Sequence, residues 1–322
     1  MTREEVTLAY QLILGRNPES EDVVESLTQT VRTTAELRDV LINSPEFLTQ
    51  MGKHMDAPKS VRHFFPFTLP RIPVQSKVDD YLLGKMLDRI HAEWARLGKD
   101  EPYWSVLTQP QFYMESFESH REGFYASGKH MCELFLSALR RCGVSPTDLK
   151  TCLEVGCGVG RVTHSLAGAF QSVVASDISE PHLQLAGAYM RERGITNVEL
   201  VQVHTLDQVN RMPYVDAIYT VITLQHNPPP VMALLLRELL SRLNPGGVAY
   251  FQLPTYKNGY IFEPERYLNS PMPETLEMHV LPQPEVFDLV SSANCVCLEV
   301  REDGMAGADD KTLSNTFLVQ RL

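Results

Sequence analysis

Apolar positions in the first fifty residues recur at the spacing of one helical face. Val6, Ala9, Tyr10, Ile13 and Leu14 mark a first helix that Gly15 can stop. Asn17-Pro18 offers a cap and a first-turn proline for a second helix carrying Val24, Leu27 and Val31. The run Thr33-Thr34-Ala35-Glu36 has capping-box spacing and leads into Leu37, Val40 and Leu41. Residues 57–75 then mix prolines with Phe64, Phe65 and Phe67 in no regular period, which predicts a linker or arm. Its phenylalanines are expected to bury on a neighbouring domain or subunit. Val78, Leu82, Leu83, Met86, Leu87, Ile90 and Trp94 return to helical spacing. Residues 101–130 are aromatic, polar and irregular.

From about residue 130 the period alternates. A helix over 131–139, closed by Gly143, precedes a strand over 151–155. A helix over 162–170, a strand over 173–176, a helix over 181–193 and a strand over 198–203 follow. A fourth strand over 215–222, a helix over 231–243 and a fifth strand over 248–253 complete the run. This rhythm predicts an α/β fold: a doubly wound parallel sheet with helices on both faces and a small all-helical domain in front. Three parts are expected: a helical interaction module over 1–56, a linker and helical, aromatic cap over 57–128, and the α/β domain over 129–322.

Composition narrows the chemistry. The chain has 322 residues, 43% of them hydrophobic, enough for an ordinary core. Its 29 basic and 40 acidic side chains give a net charge of −11, and no Lys/Arg-rich run offers a phosphate-tracking face. Nucleic acid is not an expected partner. The six cysteines have no paired CxxC spacing, so no metal site is expected, and buried free thiols fit a reducing compartment. Cys295 and Cys297 would lie on one face of a strand. No stretch reaches membrane-spanning length, and the first residues lack a long apolar core with a cleavage site. A cytoplasmic protein is expected.

Ligands of doubly wound sheets bind beyond the carboxyl ends of the strands, where the first strand delivers LEVGCGVGR (153–161). A P-loop requires Lys-Ser/Thr after its last glycine, but Gly160 is followed by Arg161-Val162-Thr163. A dinucleotide fingerprint requires a third glycine where Arg161 stands. Glu154, two residues before the first glycine, would repel a pyrophosphate and suit a cation. S-adenosylmethionine brings a sulfonium and an ammonium group, and its ribose hydroxyls need an acceptor such as Asp177.

LEVGCGVGR, ASDIS, YTVITLQHNP and LNPGGVAYFQLP resemble the successive motifs of class I S-adenosylmethionine-dependent methyltransferases, over about residues 120–322. The resemblance implies a seven-stranded, mostly parallel Rossmann-like sheet with an antiparallel last strand, fitted by 296–300 and 316–319. It implies that Glu154, Gly156, Gly158 and Gly160 border the methionine end of the cofactor. Asp177 would bind the ribose, Ile178 would lie against the adenine, and Thr205 and Leu206 would lie near it. Tyr125, with Ser127 and Gly128, would reach the carboxylate end. His226 falls where the family faces the transferring methyl, either as a general base or as a pocket wall. Residues 254–285 form an insertion of the kind that covers the substrate in this family, with Tyr256, Tyr260, Phe262, Tyr267 and His279 as candidate walls. Trp104, with Tyr103, is a candidate stacking surface for a sugar or aromatic acceptor. His120 and Arg121 are candidates for an anionic one.

The helical segment AYQLILGRNPES…ELRDVLINSPEF resembles a small domain of unknown function related to phycobilisome linkers. It implies a protein partner or self-association. The resemblances together imply O-methylation of a sugar or glycan hydroxyl. A small aromatic or lipid-like acceptor, or a non-catalytic S-adenosylmethionine-binding scaffold or adaptor, stands as the alternative. A nicotinamide-dependent oxidoreductase is disfavoured by Glu154 and Arg161.

Overall fold

The computed structural model describes residues 1–44, 46–47, 69–272, 275–307 and 311–322. Phe64, Phe65 and Phe67 lie outside them. The chain divides into two compact units, Met1–Pro66 and Phe67–Leu322.

The first unit holds α1 (Arg3–Leu14), α2 (Glu21–Thr30) and α3 (Thr34–Ile42). Val6, Tyr10, Leu14, Val24, Val31, Leu37 and Leu41 form its core. Gly15 ends α1 in the left-handed conformation at φ +69°, as its position predicts. Asn17-Pro18 does not start α2. Ser20 caps it instead, accepting a hydrogen bond from the Val23 amide. Thr33 caps α3, but Glu36 turns its carboxylate to the Arg32 amide, so the reciprocal half of the capping box goes one residue further out.

The second unit opens with α4 (Asp80–Asp100) and α5 (Phe117–Arg141). Helix α5 starts fourteen residues before the expected 131, inside the stretch that read as irregular. There Phe117, Phe124 and Tyr125 bury against Phe112, Tyr189 and Met190, an aromatic cluster whose members come from distant parts of the chain. The sheet comprises β1 (Thr151–Val155), β2 (Ser172–Asp177), β3 (Val198–Gln202), β4 (Val215–Thr220), β5 (Leu243–Lys257), β6 (Cys295–Asp303) and β7 (Thr312–Arg321). Helices α6 (Thr163–Ala169), α7 (Glu180–Glu192), α8 (Leu206–Val209) and α9 (Pro229–Ser241) fill the connections between β1 and β5. Two more, α10 (Pro264–Asn269) and α11 (Gln283–Ser292), lie between β5 and β6.

The seven strands run β3-β2-β1-β4-β5-β7-β6. Pairs from β3 to β5 are parallel, and β7 is antiparallel to both neighbours. Adjacent residues of β1 enter opposite cores. Cys152 packs with Phe135, Leu139 and Tyr219 under α5, whereas Leu153 packs with Ile218, Phe251 and Leu236 under α4 and α9. Strand β1 is therefore buried on both faces, and its carboxyl end, at the switch in strand order, opens between two helical layers. The six cysteines are free, with Cys295 buried and Cys297 exposed beside a register shift in β6. No described helix is long and apolar enough to cross a membrane.

At the amino ends of the central strands, Asp216 ties β1, β4 and β5 together. Its carboxylate accepts hydrogen bonds from the Lys150 and Thr151 amides at 2.9 and 3.0 Å, from the Thr151 hydroxyl at 3.0 Å and from Asn244 at 2.8 Å. Burial pushes this carboxyl up, but the four donors outweigh it and hold it below the usual range. The stability it contributes is thus present above the unfolded pKa of about 4 and lost as pH falls through the lower folded value. Asp216→Ala is expected to cost about 1–3 kcal/mol at pH 7. Thermal denaturation should show that deficit shrinking below pH 4.

Candidate functional site

Strand β1 ends in a turn that only glycines can follow closely. Gly156, Gly158 and Gly160 have φ of +77°, +54° and +81°. The Gly156 and Cys157 amides donate to the Ser176 carbonyl at 2.8 and 3.0 Å, and the Gly158 amide donates to Asp177 Oδ2 at 2.7 Å. Asp177 Oδ1 accepts from the Ser179 amide at 2.9 Å. Two backbone donors thus fix the carboxylate at the end of β2 against the glycine turn.

A Cβ on Gly156 would lie 2.2 Å from the Thr223 side chain, and one on Gly158 would lie 2.8 Å from Val106. These two glycines therefore shape the floor of a cavity of about 1040 Å³, counted to its open mouth. Gly160 has a different duty. A Cβ there would meet Met190 at 2.8 Å, so it lets α7 approach and does not line the cavity.

The cavity is lined by Glu154, Gly156, Gly158, Arg161, Asp177 and Ile178 from the strand ends, as the sequence leads one to expect apart from Arg161. Glu154 is buried, and its Oε2 has no hydrogen-bond partner. Burial pushes its carboxyl up to about 7, with Asp177 adding to the rise while Thr163 and Arg161 oppose it. Around it Arg161 Nε and the Tyr219 hydroxyl are also buried without partners, and Thr163 Oγ1, near enough to lower the Glu154 carboxyl, makes no well-formed hydrogen bond. Arg161 Nη1 donates to Ser127 Oγ at 3.1 Å. Buried polar atoms are normally paired, so this group is short of a ligand carrying both donors and acceptors. An ammonium and a carboxylate on one carbon, the methionine end of S-adenosylmethionine, match that requirement.

Several expected contacts lie elsewhere. Tyr125 stacks on Tyr189 with ring centroids 3.5 Å apart and is absent from the cavity wall. A Cβ on Gly128 would meet the Arg161 carbonyl at 1.8 Å, so this glycine serves helix packing. Thr205 is exposed and caps α8, and Leu206 packs into the core beside it. Val203, Val209 and Met212 line the cavity in their place. Trp104 stacks on Tyr113 outside the lining, and Tyr103 stacks on Phe117. Arg121 pairs with Glu192 and His120 bonds within its own helical turn.

Tyr256, Tyr260, Phe262, Tyr267 and His279, the expected walls of the insertion, are not on the cavity wall. Residues 73–75 bridge to Phe262 of the insertion. The His279 amide donates to the Gln225 carbonyl at 2.8 Å, which docks the insertion on the turn after β4. His226 Nδ1 donates to the Glu277 carbonyl at 2.9 Å, leaving Nε2 as an acceptor towards Gln225 at 3.3 Å. Burial pushes the His226 imidazole down to about 4, so it is neutral at physiological pH. His226 is not itself on the wall. Its neighbours Thr223 and Asn227 are, and the Trp94 ring meets it edge-on at 5.4 Å. Tyr260 bonds His279 Nδ1 at 2.8 Å, whereas the Tyr256 hydroxyl donates to the Pro70 carbonyl at 3.4 Å, away from both.

Trp94, Ser105 and Val106 line the cavity, and sequence reasoning placed none of them there. Ile222, also on the wall, holds φ at +59°, a conformation that a β-branched residue rarely adopts. One signal was available for a further residue. Glu93 interrupts the apolar stripe Met86, Ile90 and Leu97 on α4, and its buried carboxyl is pushed up to about 7 by burial and by Glu277.

Residues 152–247 match the model of a family described as methyltransferase domain. A ubiquinone biosynthesis O-methyltransferase of Serratia proteamaculans (strain 568) is 34% identical over 104 residues, 32% of this chain and 42% of that protein. A demethylmenaquinone methyltransferase of Lactococcus lactis subsp. lactis (strain IL1403) is 28% identical over 133 residues, 38% and 49% of the two chains. The chain spans less than half the length of these curated relatives. The structure of magnesium protoporphyrin IX methyltransferase from Synechocystis PCC 6803 with bound SAH shares the fold. Its TM-score is 0.51 at 14% identity, covering 74% of this chain and all of that one. Over residues 152–247 the chain is thus similar to a methyltransferase domain, and it has a Rossmann-like methyltransferase fold.

Proposed function

We propose that this protein transfers the methyl group of S-adenosylmethionine to a hydroxyl of a small acceptor. The observation that carries the reading is the buried group at the end of β1, where Glu154 Oε2, Arg161 Nε and the Tyr219 hydroxyl all lack partners beside a glycine cradle. The cofactor supplies an electrophilic methyl on a sulfonium. Glu154 and Arg161 hold its amino-acid end, Asp177 receives the ribose hydroxyls, and Ile178 with Val203, Val209 and Met212 encloses the adenine. Trp94 and Val106 close the cavity against water, which favours in-line displacement between aligned groups. His226 stands behind the wall residues Thr223 and Asn227, so its Nε2 must give up Gln225 to reach the acceptor hydroxyl. With its conjugate acid near 4, it orients that hydroxyl while the proton leaves to water.

For the acceptor, Trp94 is on the cavity wall, and Glu93, Glu277, His279 and the Tyr267 ring cluster behind it. Carboxylates and imidazoles beside aromatic rings suit a sugar or glycan hydroxyl. The names of the quinone-pathway relatives support a second reading, a small aromatic or lipid-like acceptor. The first unit, with its separate core, is the proposed site of a protein partner or of self-association. A panel of sugars and phenols assayed for methyl incorporation separates the acceptors. Cofactor binding with no transfer to any of them favours a scaffold.

Calorimetry with S-adenosylhomocysteine should show micromolar binding, with NAD giving none. Asp177→Ala should weaken it by about 1–3 kcal/mol, the usual cost of unpaired buried hydroxyls. The affinity should rise with pH through about 7 as Glu154 ionises to meet the ammonium group. A Glu154→Gln variant should bind weakly at every pH, with that dependence flattened. His226→Ala should lower kcat while leaving the affinity for S-adenosylhomocysteine unchanged. Equal losses in both would make it a structural wall.

A further inference from the structure

Helix α4 and the turn after it lie over the cofactor cavity, and one buried imidazole joins them to its carboxylate. His182, on α7, is 1% exposed. Its Nδ1 lies 2.7 Å from Ser179 Oγ, and its Nε2 lies 2.9 Å from Ser105 Oγ and 3.2 Å from the Pro102 carbonyl. Ser179 completes the path in both directions. Its hydroxyl donates to the Trp94 carbonyl at 3.0 Å, and its amide donates to Asp177 Oδ1 at 2.9 Å.

The same junction is marked by steric fit. A Cβ on Gly98 of α4 would lie 2.6 Å from Ser179 Oγ and 2.7 Å from His182 Nδ1, so only glycine lets this turn of the helix dock there. Beyond it, Val106 seats against Gly158. Trp94, Ser105, Val106, Asp177 and His182 all line the cavity. With the Ser179 hydroxyl proton on the Trp94 carbonyl, Nδ1 donates to Ser179 Oγ, and in the neutral ring that burial favours Nε2 accepts from the Ser105 hydroxyl.

We propose that His182 is a positioning residue that latches the cap, α4 and residues 101–107, onto Asp177 and thereby retains the bound cofactor. The inference rests on the reading of the cavity as an S-adenosylmethionine site. His182 touches the cap and Ser179, and it acts on the cofactor through Asp177 and through closure of Val106 over the glycine turn. Without it, the two serines lose their common partner, and at this junction the cap keeps the Ser179–Trp94 hydrogen bond and apolar contact.

The test compares release of S-adenosylhomocysteine by stopped flow with hydrogen exchange of the amides at 105–107. His182→Ala is expected to speed release at least tenfold and to speed that exchange. His182→Gln, which keeps a donor and an acceptor, should recover part of both. Gly98→Ala approaches the junction from the other side. Alanine strengthens an isolated helix, so faster release from this variant is a docking effect and not helix loss. Unchanged release and exchange in folded His182→Ala and Gly98→Ala variants would overturn the latch, as would a lowered melting temperature with the wild-type release rate. Should the wild-type protein bind no S-adenosylhomocysteine, the cofactor reading fails on its own. Amide exchange in the ligand-free variants then decides the latch: faster exchange at 105–107 supports it, and unchanged exchange refutes it.

Discussion

A carboxylate buried without a full set of partners governs this structure. Removing a charge from water costs several kcal/mol even after the protein relaxes, unless an opposite charge or good hydrogen bonds receive it. At the end of β1 the fold places Glu154 in that position, with one oxygen unpartnered and Arg161 close enough to act on its ionisation. Helical layers on both faces exclude water from the strand end. Its neighbour Asp177 is different in kind. Two backbone amides hold it in place, and the glycine turn exists in that shape partly because the Gly158 amide reaches it. One carboxylate is thus held by the turn it supports, and the other is buried with an oxygen left open to a further donor. A ligand that supplies this donor stabilises the folded state by mass action, so the fold and the ligand are energetically linked.

The sheet was legible in the sequence because its strands are buried on both faces and read as short apolar runs, each followed by a periodic helix. Glu154, Gly156, Gly158, Asp177 and Ile178 were legible for the same reason: they sit where strands end, and strand ends are set by local pattern. The cap was not. Trp94 reads as one more apolar position on a helical stripe, and nothing in its neighbours says that its ring turns to a cavity and to His226. Residues 117–130 read as irregular because their aromatics satisfy partners far away in sequence, Tyr189 and Met190 among them. Gly128 and Gly160 carried no local mark that separates a glycine needed for a ligand from one needed for a passing helix. Only the approach of Arg161 to the first and of Met190 to the second distinguishes them.

The insertion and the cap dock on different turns at the carboxyl ends of the strands, and of the two it is the cap that reaches the cavity wall. The insertion docks on the turn after β4 through Gln225 and His226, whereas the cap docks on the turn after β2 through Ser179 and His182. Each contact falls at the carboxyl end of a parallel strand, where loops are free to vary on a rigid support. His226 is consequently set by the insertion's backbone, through the Glu277 carbonyl, as much as by its own turn.

The placement of β7 has a consequence for how such a protein diversifies. The insertion leaves the sheet at Lys257 and returns through α11 to β6, while β5 is secured on its free side by β7. Register in the sheet is thus fixed by strands that do not belong to the insertion. A longer connection adds only about 0.6 kcal/mol of closure entropy for each doubling of its length. The segment between β5 and α11 can be exchanged, lengthened or rebuilt in descent while the strands beneath it keep their pairing. The strand ends that line the cavity are left undisturbed by such changes.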